Sequence, residues 1–199
     1  MKIDLRFLNR PIEDLWCQAV VLLVFQNPSI VNDVLASIND KMGGSLNDLI
    51  KRGIWTGNRG ESLLLATQGA IRADKLLMCG LGPENSFDNG VLINEVLRTG
   101  IALDQMGVKE LGINMQCPDN HAGEYGMHIE TVALSIAEAF NERHKDDPEF
   151  SLKIFFCIDN GFKDKVDRVI TRLKEGIRQG VEFSIISDSQ RNIGYQEVK

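Results

Sequence analysis

Residues Gly43–Gly82, GGSLNDLIKRGIWTGNRGESLLLATQGAIRADKLLMCGLG, contain the pattern that decides the fold. Two short apolar runs, Ser62–Ala66 and Lys75–Leu81, stand close together in the second half of this stretch. Each run is continuous rather than strictly alternating, which is typical of a strand buried on both faces. Because only a short turn separates them, they are predicted to form a hairpin-like pair of strands.

The same pattern continues on both sides of this stretch. Further short apolar runs predict strands at Ala19–Phe25, Leu111–Cys117, Leu152–Ile158 and Val181–Ser187. Apolar residues spaced by three and four predict helices at Asn89–Met106, Gly126–His144 and Phe162–Gln179. Strand–helix–strand order from residue 75 onward implies right-handed crossovers, and therefore an α/β fold with a largely parallel sheet covered by helices.

Length and charge limit the class of protein. The 199 residues are 43% hydrophobic, which suits one domain with a buried core, and we assign residues 1–187 to it and 188–199 to a tail. The formal net charge is −6, which argues against a nucleic-acid duplex or an anionic membrane as the main partner. No apolar run is long enough to span a bilayer, and the first residues do not resemble a signal peptide.

The four cysteines favour a reducing compartment. Cys17, Cys79, Cys117 and Cys157 lie far apart in the sequence, and most of them stand inside apolar runs. Neither a Cys-x-x-Cys pair nor a Cys/His cluster is present, so the pattern indicates buried thiols rather than disulfides or a zinc site. We therefore expect a cytoplasmic protein with no metal ion and no cofactor.

The stretch quoted first resembles the N-terminal domain of the M17 leucyl aminopeptidases. The matching features, in order, are the Gly-Gly helix start, the -L-I-K-R-G- turn, the -T-G-x-x-G-E- loop, -I-x-A-D-K- and the strand -LLMCGLG-. The resemblance implies a macro-domain-like three-layer α/β/α sandwich around a mixed sheet of about six strands. It continues more weakly through -MGVKELGI-, which looks like the next strand of that family.

The second half of the chain is similar to macro domains in general. The segment CPDNHAGEYGMHIETVALSIAEAF, Cys117–Phe140, looks like a macro strand end, a Gly-x-Tyr-Gly loop and a long helix. The Gly-x-Tyr-Gly match is Gly123-Glu124-Tyr125-Gly126. Macro domains bind ADP-ribose, so this resemblance implies that a nucleotide diphosphate or another phosphorylated small molecule is a candidate ligand.

The catalytic half of the M17 family has no counterpart in this sequence. M17 peptidases bind two metal ions in a C-terminal domain whose Asn-Thr-Asp-Ala-Glu-Gly-Arg signature is absent here, and the chain ends where that domain would begin. A two-metal hydrolase needs several carboxylates that converge on ions about 3.5–4 Å apart. We therefore expect that the chain is not an aminopeptidase by itself and that it contains no catalytic residues.

Two glycine-bearing turns precede helices and are candidate anion sites. The first is Gly43-Gly44-Ser45, and the second is Gly123-Glu124-Tyr125-Gly126. A helix N-terminus offers unpaired N–H groups and the positive end of the helix dipole, and glycine lets a phosphate approach the backbone. The alternative is that the glycines only supply the positive φ of tight turns, and this alternative is favoured for the first turn.

Several side chains near these turns have open assignments. Glu124 would repel a diphosphate if it faced the ligand, or would be harmless if it capped the helix or faced solvent. Tyr125 would stack on a ribose or pack in the core. The resemblance to macro domains implies a ribose-binding asparagine, for which Asn27, Asn32 and Asn39 are candidates by position only. We assign Asn32 to this role, although each of the three is also an ordinary turn or cap residue.

Three further residues are of types that act as acids, bases or nucleophiles in enzymes. His121 and His128 flank the second turn, and a histidine can act as an acid or base near neutral pH, but no serine or cysteine stands at a recognisable nucleophile spacing from them. Cys117 comes before a proline at a strand end, and a buried thiol is the favoured interpretation.

The sequence leaves two functions open. The favoured one is a stand-alone M17 N-terminal-like domain that is non-catalytic and acts in assembly or regulation, as a homo-oligomer or with a separately encoded peptidase. The alternative is a macro-type binder, or slow hydrolase, of ADP-ribose or a related nucleotide diphosphate. An assembly module needs an exposed apolar patch, for which Trp16, Trp55 and Phe87 are candidates that would otherwise be core residues.

Overall fold

The computed structural model describes residues 1–26, 33–115, 123–158, 168–173 and 182–187. Its strands are β1 (Lys2–Leu8), β2 (Ala19–Val24), β3 (Ser62–Ala66), β4 (Lys75–Gly80), β5 (Glu110–Met115), β6 (Ser151–Cys157) and β7 (Glu182–Ser187). Its helices are α1 (Asp33–Lys41), α2 (Ser45–Lys51), α3 (Asn89–Gln105) and α4 (Tyr125–His144), with a further helical stretch at 168–173. Two single-turn 3₁₀ helices lie at Ile12–Asp14 and Glu84–Ser86.

The strands form one seven-stranded mixed sheet in the order β3-β4-β2-β5-β6-β1-β7. Neighbouring strands are parallel except β3, which runs antiparallel to β4 as the predicted hairpin-like pair. The α/β class and the largely parallel sheet are therefore confirmed.

The strand that the sequence analysis did not predict is β1. Its sequence KIDLRFL alternates apolar and polar residues, so it lacks the continuous apolar run that marks the other strands. Ile3, Leu5 and Phe7 are buried on one face, while β6 and β7 pair with the two edges of β1. Among the described residues the sheet therefore has seven strands, close to the expected number of about six.

Helices cover both faces of the sheet and give it three layers. On one face α3, α4 and residues 168–173 pack over a core that includes Phe140, Ile136 and Leu173. On the other face α1, α2 and the 12–17 segment enclose a second core, with Trp55 at 1% exposure. Phe87 is also buried, whereas Trp16 is 73% exposed, so only Trp16 of the three aromatic candidates lies on the surface.

Local signals set the ends of α3. The Asp88 carboxylate accepts a hydrogen bond of 2.8 Å from the Val91 N–H, which caps the first turn. Gly107 has φ 69° and follows the last turn, as a glycine in the left-handed region commonly does. Both ends agree with the prediction of a helix over Asn89–Met106.

Register places the strand ends at two opposite ends of the sheet. Lys75, Ala19 and Leu111 lie side by side where β4, β2 and β5 begin, which we call the amino end of the sheet. Leu23 lies beside Met115, near where β2 and β5 finish, and these strand termini define the carboxyl end. Among the described residues, no helix is long and apolar enough to cross a membrane.

Candidate functional site

The carboxyl end of the sheet is the expected position of a ligand site. Ligands of open α/β sheets bind outside the carboxyl ends of the strands. The parallel neighbours β2, β5 and β6 all finish there, and the segments that follow them, 27–32, 116–122 and 159–167, lie outside the described residues. The described groups at this end come from the N-terminus of α4, from Phe25 and Phe87, and from the 56–60 loop.

The second predicted turn lies at this carboxyl end. Gly123 and Glu124 form a short turn, and Tyr125 is the first residue of α4. The Tyr125 ring is only 8% exposed and borders a small gap shared with Met115 and Cys157, the last residues of β5 and β6. Of the two roles considered for Tyr125, stacking on a ribose or packing in the core, its burial therefore favours packing.

Glu124 lies at the surface beside a buried histidine. Its side chain is 54% exposed and does not cap α4, and its Oε2 is 3.7 Å from Nε2 of His128 one turn later. His128 is 1% exposed and packs edge-on against Phe87, whose ring meets Phe25 in the same way at 5.0 Å. An acidic group next to the N-terminus of α4 weakens the attraction of that end for an anion.

The first predicted turn has a different structural role. Gly43 (φ 66°) and Gly44 (φ 83°) end α1, because the Gly43 N–H donates to the Asp40 carbonyl and the Gly44 N–H donates to the Asn39 carbonyl. These two bonds form the Schellman arrangement that closes a helix C-terminus. Both amides are therefore engaged by α1 rather than directed at a ligand.

The same turn also starts α2, with its own partners. Ser45 Oγ donates to the Met42 carbonyl, and the Asn47 N–H donates to Oδ1 of Asn39 at 2.9 Å. Asn39 is 7% exposed, and because its side chain accepts this bond from the first turn of α2 it caps that helix. Of the three asparagine candidates, Asn39 is thus a structural residue, while Asn27 and Asn32 lie outside the described residues.

The two predicted turns are not brought together. Ser45 and Met42 line a groove of about 610 Å³ whose opposite wall is the turn after β3. That turn begins at Ala66, which pairs with Lys75 at the amino end of the sheet, whereas Tyr125 lies at the carboxyl end. A diphosphate cannot be held between Gly43–Ser45 and Gly123–Gly126 in this arrangement.

The groove at the amino end is open and mixed in character. Residues from α1, α2 and the β3–β4 turn line it: Lys41, Met42, Ser45, Leu49, Leu65, Ala66, Thr67, Gln68, Gly69 and Ala70. Exposed Trp16 lies near this end, where the Arg72 guanidinium stacks 4.9 Å from the centre of its ring. Ser45 and Trp16 are candidates from their sequence context, but nothing in the sequence connects either of them to a groove.

The 56–60 loop has a structural role that its sequence did not predict. The Glu61 carboxylate accepts hydrogen bonds of 2.9–3.0 Å from the Thr56 N–H, the Thr56 hydroxyl and the Asn58 N–H. Partial burial acts to raise the pKa of Glu61, but the hydrogen bonds from Thr56, Asn58 and Gly57 outweigh it and lower that pKa. Glu61 therefore holds the -T-G-x-x-G-E- loop in shape as a carboxylate.

Two of the described cysteines, Cys17 and Cys79, are free thiols in buried positions. Burial raises the pKa of Cys17 to about 11 and also raises the pKa of Cys79, whose Sγ accepts a hydrogen bond from Thr99. Within residues 1–26, 33–115, 123–158, 168–173 and 182–187, no group of three or more His, Cys, Asp or Glu side chains is placed to hold a metal ion. His121 and Cys117 lie outside these ranges.

Comparison with known proteins shows the family. Residues 21–142 match the model of the N-terminal domain of the cytosol aminopeptidase family, and the chain belongs to this family. A probable cytosol aminopeptidase of Nitrosomonas europaea is 26% identical over 163 residues, which are 79% of this chain and 32% of that protein. One of Rippkaea orientalis is 24% identical over 151 residues, or 73% of this chain and 30% of that protein. The first relatives are matched over only 18–19% of their length.

Solved structures share the fold. A tomato leucine aminopeptidase mutant has a TM-score of 0.65 at 10% identity, covering 86% of this chain and 36% of its own. The macro domain of ganglioside induced differentiation associated protein 2 has a TM-score of 0.64 at 13% identity, covering 82% and 81%. A Trypanosoma brucei macrodomain in complex with ADP-ribose has a TM-score of 0.62 at 14% identity, covering 82% and 68%. The macro-domain-like fold is therefore shown.

Proposed function

We propose that this chain is a non-catalytic module of the cytosol aminopeptidase family that acts in assembly or regulation. The observation that carries the proposal is the family match, which falls on the N-terminal domain of that family over residues 21–142. Its partner is a second copy of the chain or a separately encoded peptidase of the same family. The buried free thiols of Cys17 and Cys79 are consistent with the cytoplasm as its compartment.

The placement of the first glycine turn supports this choice over a diphosphate grip. The amides of Gly43 and Gly44 already donate to α1 carbonyls, and the turn lies at the opposite end of the sheet from Tyr125. A site of the two-turn kind would need both sets of N–H groups at one end. The ligand-binding assignment of Gly43, Gly44 and Ser45 therefore has less support than the assembly role.

A second candidate function rests on α4. This 20-residue helix begins at the carboxyl end of β5 and β6, where a ligand of an open α/β sheet binds. The similar Trypanosoma brucei macrodomains were solved with ADP and with ADP-ribose. Binding of a nucleotide diphosphate by the backbone N–H groups of Gly123, Glu124 and Gly126, with Asn32 as the ribose contact, is therefore the alternative proposal. The packed Tyr125 ring would support the turn rather than stack on the ribose.

Three measurements on the purified chain separate these functions. Sedimentation over a wide concentration range is expected to show self-association. Hydrolysis of leucine p-nitroanilide in the presence of Mn²⁺ is expected to be absent. The thermal stability of the chain is expected not to change with ADP-ribose up to millimolar concentration. Ligand that binds only the folded state would instead stabilise it by RT ln(1 + [L]/Kd). Such stabilisation in a monomeric chain would replace the assembly role with the binding role.

A matched pair of variants tests whether ADP-ribose binds at the N-terminus of α4. If ADP-ribose binds at the N-terminus of α4, removing the charge in Glu124→Gln tightens binding, because a carboxylate there opposes a diphosphate. Glu142→Gln makes the same change on an exposed residue at the other end of α4 and leaves binding unchanged. Equal responses of the two variants would contradict a diphosphate site at Glu124.

A further inference from the structure

The open edge of β3 has a defined set of backbone groups. Among the described residues, β3 pairs with β4 alone and is the first strand of the sheet. The Gly80 N–H donates to the Glu61 carbonyl and the Thr67 N–H donates to the Asp74 carbonyl, so odd-numbered positions of β3 face β4. Because bonding alternates along an antiparallel strand, Ser62, Leu64 and Ala66 present their N–H and C=O groups to the open edge.

Within the part of the chain that the structure describes, this edge carries none of the usual protection. Natural edge strands avoid pairing with other chains by means of charged side chains, proline or bulges. The strand SLLLA has no charge and no proline, and Leu64 at its centre is 48% exposed. The acidic residue directly before β3, Glu61, is turned into the 56–60 loop by its bonds to Thr56 and Asn58.

The sequence of β3 is self-complementary. An antiparallel pair of two copies related by a two-fold axis at Leu64 sets Leu64 against Leu64, Leu63 against Leu65, and Ser62 against Ala66. Each leucine then meets a leucine and each small residue meets a small residue. The seam contains no charged side chain, so no like charges stand directly opposite each other across it.

We infer that β3 is a homodimer interface, in which two copies join their sheets edge to edge with Leu64 at the two-fold axis. This inference rests on the proposed assembly function and names its partner as a second copy of the chain. The three facing pairs of Ser62, Leu64 and Ala66 each exchange two backbone hydrogen bonds. The two seven-stranded sheets become one continuous sheet across the interface.

The surface beside β3 extends the contact. A five-residue strand spans only about 17 Å, and stable interfaces bury about 800 Å² per partner, so the seam alone is small. Leu65 lines the groove at the amino end together with Met42 and Leu49, which adds apolar surface next to the seam. A weak dimer with micromolar dissociation is therefore expected.

The first test introduces a charge on the axis. Leu64→Lys places two ammonium groups opposite each other, and sedimentation is expected to show at least a tenfold weaker dimer. Ile101→Lys is the control. Ile101 is 43% exposed on α3, and this variant likewise replaces an exposed aliphatic side chain by lysine. Both variants are expected to keep the circular dichroism spectrum of the native chain. A Leu64→Lys dimer as stable as that of Ile101→Lys, or a monomeric native chain at millimolar concentration, overturns the inference.

The second test fixes the register. Residues of a hydrogen-bonded antiparallel pair have Cα atoms about 5.5 Å apart, within the range of a disulfide. Under mild oxidation Leu64→Cys is expected to give a covalent dimer, while Ala66→Cys, offset from its copy by four residues or about 14 Å, is not. Cross-linking of Ala66→Cys at the same rate as Leu64→Cys, after subtraction of the cross-linking of the native chain through its own thiols, contradicts a two-fold axis at Leu64.

The outcomes distinguish the inference from the function on which it rests. A chain that self-associates but ignores both changes at Leu64 retains the assembly role and loses the β3 interface. A chain that is monomeric throughout and binds ADP-ribose loses both. No result of these two tests leaves the β3 interface undecided.

Discussion

The Asp104 carboxylate, at the C-terminal turn of α3, lies 2.6 Å from Nε2 of His144 at the end of α4. The same carboxylate accepts a hydrogen bond of 2.9 Å from Nη1 of Arg143, although its own side chain is only 6% exposed. The His144 ring in turn stacks on Phe150, just before β6, with centroids 3.6 Å apart. One carboxylate thus ties the ends of two helices to the entry of a strand at the core.

Removal of this carboxylate is expected to destabilise the α3–α4 layer. Asp104→Ala leaves two donors without their acceptor, and we expect the free energy of unfolding to fall by about 1–3 kcal/mol. The exposure of Arg143 keeps the loss toward the lower part of this range, because solvent screens the ion pair. Urea unfolding measures the change. Asp146→Ala removes an exposed carboxylate nearby and should be close to neutral, so equal losses would show that Asp104 has no special role.

The close approach of α3 to α4 depends on a glycine. A Cβ added at Gly100 would lie 2.6 Å from Cβ of Ala139, closer than packed atoms come. We expect Gly100→Ala to destabilise the chain by about 1–3 kcal/mol through overpacking, in spite of the higher helix propensity of alanine. A double-mutant cycle with Ala139→Gly, measured by thermal unfolding, should recover part of the loss. Additive effects of the two changes would contradict a direct clash.

The elements with continuous apolar runs could be predicted from the sequence. β2 and β4 are buried on both faces because strands and helices surround them, and this burial demands apolar residues at every position. β1 is buried mainly at Ile3, Leu5 and Phe7 and alternates instead, so a search for continuous runs misses it. A search for period two along KIDLRFL would have found it.

The candidate site was harder to predict, for a physical reason. A glycine that closes a helix and a glycine that lets a phosphate approach both need positive φ or a missing side chain, so Gly43 and Gly44 look alike in either role. Only the hydrogen bonds to Asn39 and Asp40 distinguish the roles, and these require the fold. The continuous apolar run of β3 predicted burial on both faces, and this prediction is wrong, because Leu64 is 48% exposed. Strand order places β3 at the edge of the sheet, whereas the same sequence would be buried in a central strand.

Gly80 is the position where the 56–60 loop meets the sheet. A Cβ built there would lie 2.1 Å from the Asn58 carbonyl oxygen and 2.5 Å from the Gly57 carbonyl carbon, both of them backbone atoms. Because backbone cannot turn aside as a side chain does, Gly80→Ala should destabilise the chain by about 3 kcal/mol or more. Gly123→Ala is the control, since a Cβ there meets nothing within 4 Å. Chemical denaturation of both variants checks the contrast, and similar midpoints would refute the close contact.

The lowered pKa of Glu61 predicts how stability changes with pH. Burial opposes the shift, but the hydrogen bonds to the Glu61 carboxylate prevail and bring the pKa below its ordinary value of 4.5. A carboxyl whose pKa is lower in the folded state adds stability that is complete above the unfolded value and is lost as pH falls through the folded value. The native chain should therefore lose stability below about pH 4.5 more steeply than Glu61→Gln, which has no charge to titrate. Glu142→Gln, an exposed site, should keep the native slope. Thermal melts from pH 7 to pH 3 measure the three slopes, and a Glu61→Gln profile parallel to the native one would mean that the Glu61 carboxylate does not hold this loop.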